Sequence, residues 1–120
     1  MPDLLLATTN AGKIQEFRLL LKESNYSLIS PDDVGLNLSV PETGSSFEEN
    51  ALIKANAYSI ASNHLCLADD SGIEIDALNG LPGIYSARYG GEGLSDKDRI
   101  NLVLEEIKDI PWHLRKARFR

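Results

Sequence analysis

Two four-residue apolar runs, Leu4-Leu5-Leu6-Ala7 and Leu65-Cys66-Leu67-Ala68, constrain this chain more than any other feature. An unbroken apolar run of that length, without the alternation of a half-wet strand, reads as a strand buried on both faces. The stretch after the first run has helical period. Thr8-Thr9-Asn10 supplies N-cap chemistry, and Ile14, Phe17 and Leu21, with Leu20 beside them, predict an amphipathic helix from Ala11 to about Lys22. Tyr26 to Ile29 reads as a further strand, and SPDDVGLNLSVPETGSS as a long excursion without regular structure, a kind of loop that often carries function. Ser46 followed by Glu49 is a capping-box pattern opening a helix to about Ser62, with Phe47, Ala51, Ala55 and Tyr58 as its buried stripe. Asn50 and Lys54 lie four apart on a different stripe.

Beyond the second apolar run, Ile73, Ile75 and Ala77 alternate with Glu74 and Asp76 as in a half-exposed strand, and Asp69 to Gly72 joins the two. NGLPGIYSARYGGEG is a glycine-rich loop, and Ser95 then caps a helix presenting Ile100, Val103, Leu104 and Ile107, stopped by Pro111. The chain finishes on KARFR, a basic stretch with the look of a strand beginning. Strands interleaved with helices over 120 residues indicate one α/β domain, residues 1–120.

Charge narrows the partners. Eighteen acidic against twelve basic residues give a net charge of -6, which argues against a nucleic-acid or membrane surface, since phosphate backbones and anionic lipids select basic patches. An anionic ligand needs local cations or a divalent metal. The single cysteine, Cys66, cannot form an internal disulfide and sits in an apolar run, where packing is its role, so a reducing cytoplasm fits best. MPDLLLATTN carries an acid where a signal peptide carries lysines, and no apolar run is long enough to span a bilayer.

Two places hold candidate chemistry. TTNAGK joins a strand to a helix N-terminus, where unpaired N–H groups and the helix dipole attract anions, Gly12 allows close approach and Lys13 adds a full charge. It is not a Walker A loop, because Ile14 replaces the Ser or Thr that holds magnesium. Taken alone, a capped turn is the commoner meaning. LADDSGIEID places Asp69 and Asp70 together after a strand. Neighbouring side chains of an extended strand point to opposite faces, so at least one of them is structural. Acids beside Ser-Gly often simply accept backbone N–H bonds. Against that, ligands of open α/β sheets bind beyond the carboxyl ends of the strands, and Mg²⁺ takes carboxylate oxygens with water and phosphate completing its shell. Glu42 in PETG is a second carboxylate candidate and Lys54 a second phosphate contact, although either residue alone is more often solvated. His64 and His113 lie too far apart to suggest a zinc pair, and no covalent nucleophile is evident.

Taken together, LLLATTNAGK, PETGSSFEENALIKA and LADDSGIEIDALNGLPGIYSARYGG resemble the inosine triphosphate pyrophosphatase family in order and spacing over nearly the whole chain. The resemblance implies an elongated, two-lobed α/β fold with a mixed, twisted sheet flanked by helices, and usually a homodimer. It implies Mg²⁺-dependent hydrolysis of ITP, dITP or XTP to the monophosphate and pyrophosphate. By motif, Thr8, Thr9, Asn10, Ala11, Gly12 and Lys13 would cradle the triphosphate, and Lys54 and Ser71 would touch substrate. Asp70 would be both proton acceptor and metal ligand, with Glu42 assisting the metal. Family chains continue past KARFR with base-gripping motifs, so the resemblance covers an N-terminal portion and leaves weak or absent activity, and edge pairing with another chain, as expectations. A receiver-type signalling domain shares the length and an acidic Mg²⁺ site, but its acid pair follows the first strand, whereas Thr-Thr-Asn follows it here. A nucleotide-binding or assembly fragment without chemistry is the remaining alternative.

Overall fold

Leu4, Leu5 and Leu6 occupy the middle of a three-stranded sheet. In the computed structural model, which describes residues 1–120, β1 (Asp3–Leu6) runs parallel to β2 (Ser27–Ile29) on one side and β3 (Leu65–Leu67) on the other. Leu5 pairs with Ile29 and with Cys66. A central strand loses water on both edges and both faces, and Leu5, Leu6 and Ala7 are accordingly buried. The expectation of equal burial for the second apolar run is corrected: β3 is an edge strand, Leu65 is exposed, and Cys66 and Leu67 are half-buried.

Asn10 caps α1 (Ala11–Leu20), its side-chain oxygen accepting from the N–H groups of Gly12 and Lys13. Ile14, Phe17 and Leu21 are half-buried as their spacing requires, whereas Leu20 is 78% exposed and belongs to the outer face. The long excursion holds one 3-10 turn, Asp32–Val34, which the Asp33 carboxylate ties down by accepting from Ser30 N. Leu36, Leu38 and Val40 of the same excursion pack on Leu5, Ala7 and Tyr58, so this stretch covers core. Ser46 then caps α2 (Phe47–Ser62). The capping box is not reciprocal: Glu49 N–H reaches Ser46 Oγ, but the Glu49 carboxylate accepts from Ser45 N and Oγ.

The chain divides into two compact units, residues 1–70 and 71–120. In the second, β4 (Ile73–Ile75) pairs antiparallel with β5 (Ala117–Phe119), the strand that KARFR announced. Gly72 and Arg120 exchange two backbone hydrogen bonds at the end of that ladder. Gly72 cannot carry a side chain, because a Cβ there would overlap the Gly83 carbonyl oxygen and Ser86 Oγ. The glycine-rich stretch is not all loop: Gly83–Arg88 forms a 3-10 helix, and Ser86 Oγ bonds Gly83 O and Ile73 N. α3 (Asp96–Glu106) opens on a full Ser95–Asp98 capping box and ends before Pro111, with Ile107 at its C-cap. Of its apolar stripe Ile107 is buried and Val103 half-buried, while Ile100 and Leu104 are exposed.

Candidate functional site

Asp69 and Asp70 follow the end of β3, and each has its own set of partners. Asp69 Oδ1 receives Lys13 Nζ at 3.1 Å, which joins the exit of β3 to the first turn of α1. Asp70 feels Glu42, Asn50 and Lys54, and also Lys13. Both carboxylates stand past the carboxyl end of a strand that runs parallel to β1, where the TTNAGK turn also begins.

Lys54 and Glu42 form a second ion pair, Nζ to Oε1 at 3.2 Å, with 13% and 22% of their side chains exposed. Helix α2 supplies Lys54 and the PETG segment supplies Glu42. Asn50, one turn before Lys54, is 0% exposed, and its Oδ1 accepts from Gly44 N at 2.7 Å. That bond pins the PETG segment to α2. Gly44 has no room for a side chain, since a Cβ would meet Asn50 Oδ1 and Glu49 Cβ at 2.7 Å.

Electrostatics single out Asp70. Burial, and then the nearby Glu42 carboxylate, push its pKa up, while Asn50, Lys54 and Lys13 pull it down. The raising effects win. Asp70 Oδ2 and Asn50 Nδ2 are both buried, and neither completes a hydrogen bond of ordinary geometry, although the Asn50 side chain is close enough to favour the charged carboxylate. A buried acceptor in this state suits a donor or a cation.

The structure thus brings Lys13, Glu42, Lys54, Asp69 and Asp70 into one electrostatic neighbourhood of the first unit. Asn10, Gly12 and Lys13 form the capped start of α1, Thr8 Oγ1 accepts from Asn10 N, and Ala11 is its first helical residue. Thr9, just before the cap, is exposed. Ser71 begins the second unit. His64 bonds Ser62 O and approaches Asp3 Oδ2 at 4.0 Å, and no group of three or more His, Cys, Asp or Glu side chains gathers to hold a metal. Sequence reasoning gives Asn50 no role in the site. Its signal is the four-residue spacing to Lys54, which puts both on one helix stripe.

Known proteins are similar to this chain in sequence and in fold. The profile of the Ham1 family matches residues 4–120. A Bacillus subtilis (strain 168) protein named dITP/XTP pyrophosphatase is 46% identical over 120 residues, 100% of this chain and 61% of its own length. Among solved structures, the Ham1 protein of Staphylococcus aureus superposes with a TM-score of 0.82 at 42% identity, covering 98% of this chain and 59% of that one. A HAM1 protein from Coxiella burnetii gives 0.88 at 38% identity, over 99% and 60%. The chain therefore spans about three-fifths of the length of the relatives it matches.

Proposed function

This chain belongs to the Ham1 family, and from that premise we propose that it serves the hydrolysis of deaminated purine nucleoside triphosphates, ITP, dITP or XTP, to the monophosphate and pyrophosphate. The observation that carries the reading is Asp70: a carboxylate with one oxygen buried and unpartnered, resisting ionisation, between two lysines and a second acid. General bases need a pKa lifted toward the working pH, and burial beside a like charge lifts it.

The chemistry is water attack on a phosphoanhydride. Water oxygen bonds the α-phosphorus, the bond to the bridging oxygen of the β-phosphate breaks, and pyrophosphate leaves with that electron pair. Asp70 accepts the proton of the water. Lys13 holds the phosphates through its charge, and the start of α1, Thr8 to Gly12, holds them through the positive end of the helix dipole. The N–H groups of Asn10, Gly12 and Lys13 are already taken by Thr8 Oγ1 and Asn10 Oδ1. Lys54 stabilises the charge that develops. Lys13 and Lys54 each rest on a carboxylate, Asp69 and Glu42, so both ammonium groups are already fixed in place before phosphate arrives.

The donors present suit Mg²⁺. A hard cation takes one or two protein carboxylates and fills its octahedron with water and phosphate oxygens, so Asp70 and Glu42 without a third acid are sufficient. When bound, the ion neutralises phosphate charge. A cytoplasmic setting and a homodimer complete the proposal.

Pyrophosphate release from dITP and XTP, set against ATP and GTP, with Mg²⁺ and with EDTA, tests it. Metal-dependent turnover favouring dITP and XTP is expected. Nucleotide binding that persists in Asp70→Asn, with no hydrolysis by the unaltered chain, would instead establish a binding role without chemistry.

A further inference from the structure

Asn50 is wholly excluded from water, yet a carboxamide carries two donor and two acceptor sites that burial obliges the protein to answer. One is answered by the 2.7 Å bond from Gly44 N to Oδ1. That bond also decides which way round the amide lies, because two N–H donors would repel, so Nδ2 is the group still to be answered. Nδ2 has no hydrogen-bond partner, and Asp70 Oδ2, on a carboxylate whose charged form the Asn50 side chain favours, has none either. A buried donor and a buried acceptor, each incomplete, thus belong to two side chains that act on one another electrostatically.

We propose that Asn50 is the positioning residue of this site: Oδ1 clamps the segment that carries Glu42, and Nδ2 presents an N–H to Asp70, so one side chain sets the orientation of one acid and the placement of the other. This rests on the reading of Asp70 as proton acceptor. Asn50 touches no reacting atom. It acts by holding two carboxylates that otherwise repel, at a separation that neither α2 nor the PETG segment alone would maintain. Misplacing a reacting group by about an ångström costs on the order of a hundredfold in rate. The same fold, with Asn50 serving merely as a loop clamp, would need its acceptor and not its donor.

That difference separates the two roles. Asn50→Asp keeps an acceptor for Gly44 N–H and removes the donor, whereas Asn50→Ala removes both. In Asn50→Asp, kcat for pyrophosphate release is expected to fall about 10–100-fold with KM changed less than about threefold. The Gly44 amide should remain protected from hydrogen exchange there and lose protection in Asn50→Ala. Turnover within about threefold of the parent in either variant overturns the proposal. A readout without turnover is NMR of the Asn50 side-chain amide protons in EDTA, which should shift when Asp70 is replaced by Asn; unmoved resonances overturn it equally. Asp70→Asn also separates the two readings. If that variant turns over normally, the assignment of the base fails; if it is dead while Asn50→Asp is unimpaired, the positioning role alone fails.

Discussion

Asp70 carries a strain whose sign is readable. Its pKa in the folded chain lies above the usual 3.8, so between that value and the raised one the folded state holds a proton that the unfolded state has released. Stability therefore falls as pH rises through that window and returns as pH falls. Asp33 and Glu49 pull the other way: hydrogen bonds from Ser30 and Ser45 lower their pKa values, and what they contribute is lost on acidification. For metal-free protein, Asp70→Asn is expected to raise the melting midpoint at neutral pH while cutting pyrophosphate release about 10²–10⁴-fold. Thermal melts across the acid range measure the first effect, and an unchanged midpoint would mean that the ionised carboxylate costs the fold nothing. At this scale the adjacency of Asp69 and Asp70 after a strand was legible in the sequence. Asn50 was not, because a polar residue on a helix reads as surface until the packing around it is known.

Elements begin where the chain announces it. Asn10 and Ser46 cap their helices through N–H groups two or three residues on, contacts that need no distant partner. Replacing Asn10 by Ala should cost about 1 kcal/mol by denaturant titration, and it should weaken phosphate binding beyond that by loosening the first turn of α1. Gly44→Ala should cost about 1–3 kcal/mol, because its Cβ drives into Asn50 and Glu49 rather than into solvent. A loss under about 0.5 kcal/mol would show the PETG segment yielding freely. Where elements end, and which face they bury, was less legible. The α3 stripe contains Ile100 and Leu104 at the proper spacing, yet both are exposed, since periodicity says which residues share a face and not what lies opposite. The reciprocal arm of the α2 capping box goes to Ser45 because the PETG segment enters with that residue turned toward Glu49.

Over the whole molecule, burial is uneven. Leu4, Leu5, Leu6, Ala7 and Tyr58 of the first unit are buried, against Ile75 and Ile107 of the second. Two-stranded ladders are marginal in water, and Phe119 of β5 is 78% exposed. Hydrogen exchange should therefore be slowest at the amides of β1 and markedly faster at those of β4 and β5. Equal protection of the two sheets would contradict that ranking. The net charge of -6 repels a triphosphate, so binding must depend on local cations; Lys54→Gln should lower kcat/KM about 10–100-fold, with the loss read by initial rates at several salt concentrations.

The sequence by itself determined where the strands and helix caps lie and that the chain is α/β, because apolar period and cap chemistry act over a few residues. Tertiary structure decided that the first apolar run is central and the second an edge. It also decided that Glu42 meets Lys54 and Asp70, and that Asn50 is sealed from water between them. Those outcomes depend on pairing and burial between segments far apart along the chain, and no local pattern encodes which desolvated group will face which.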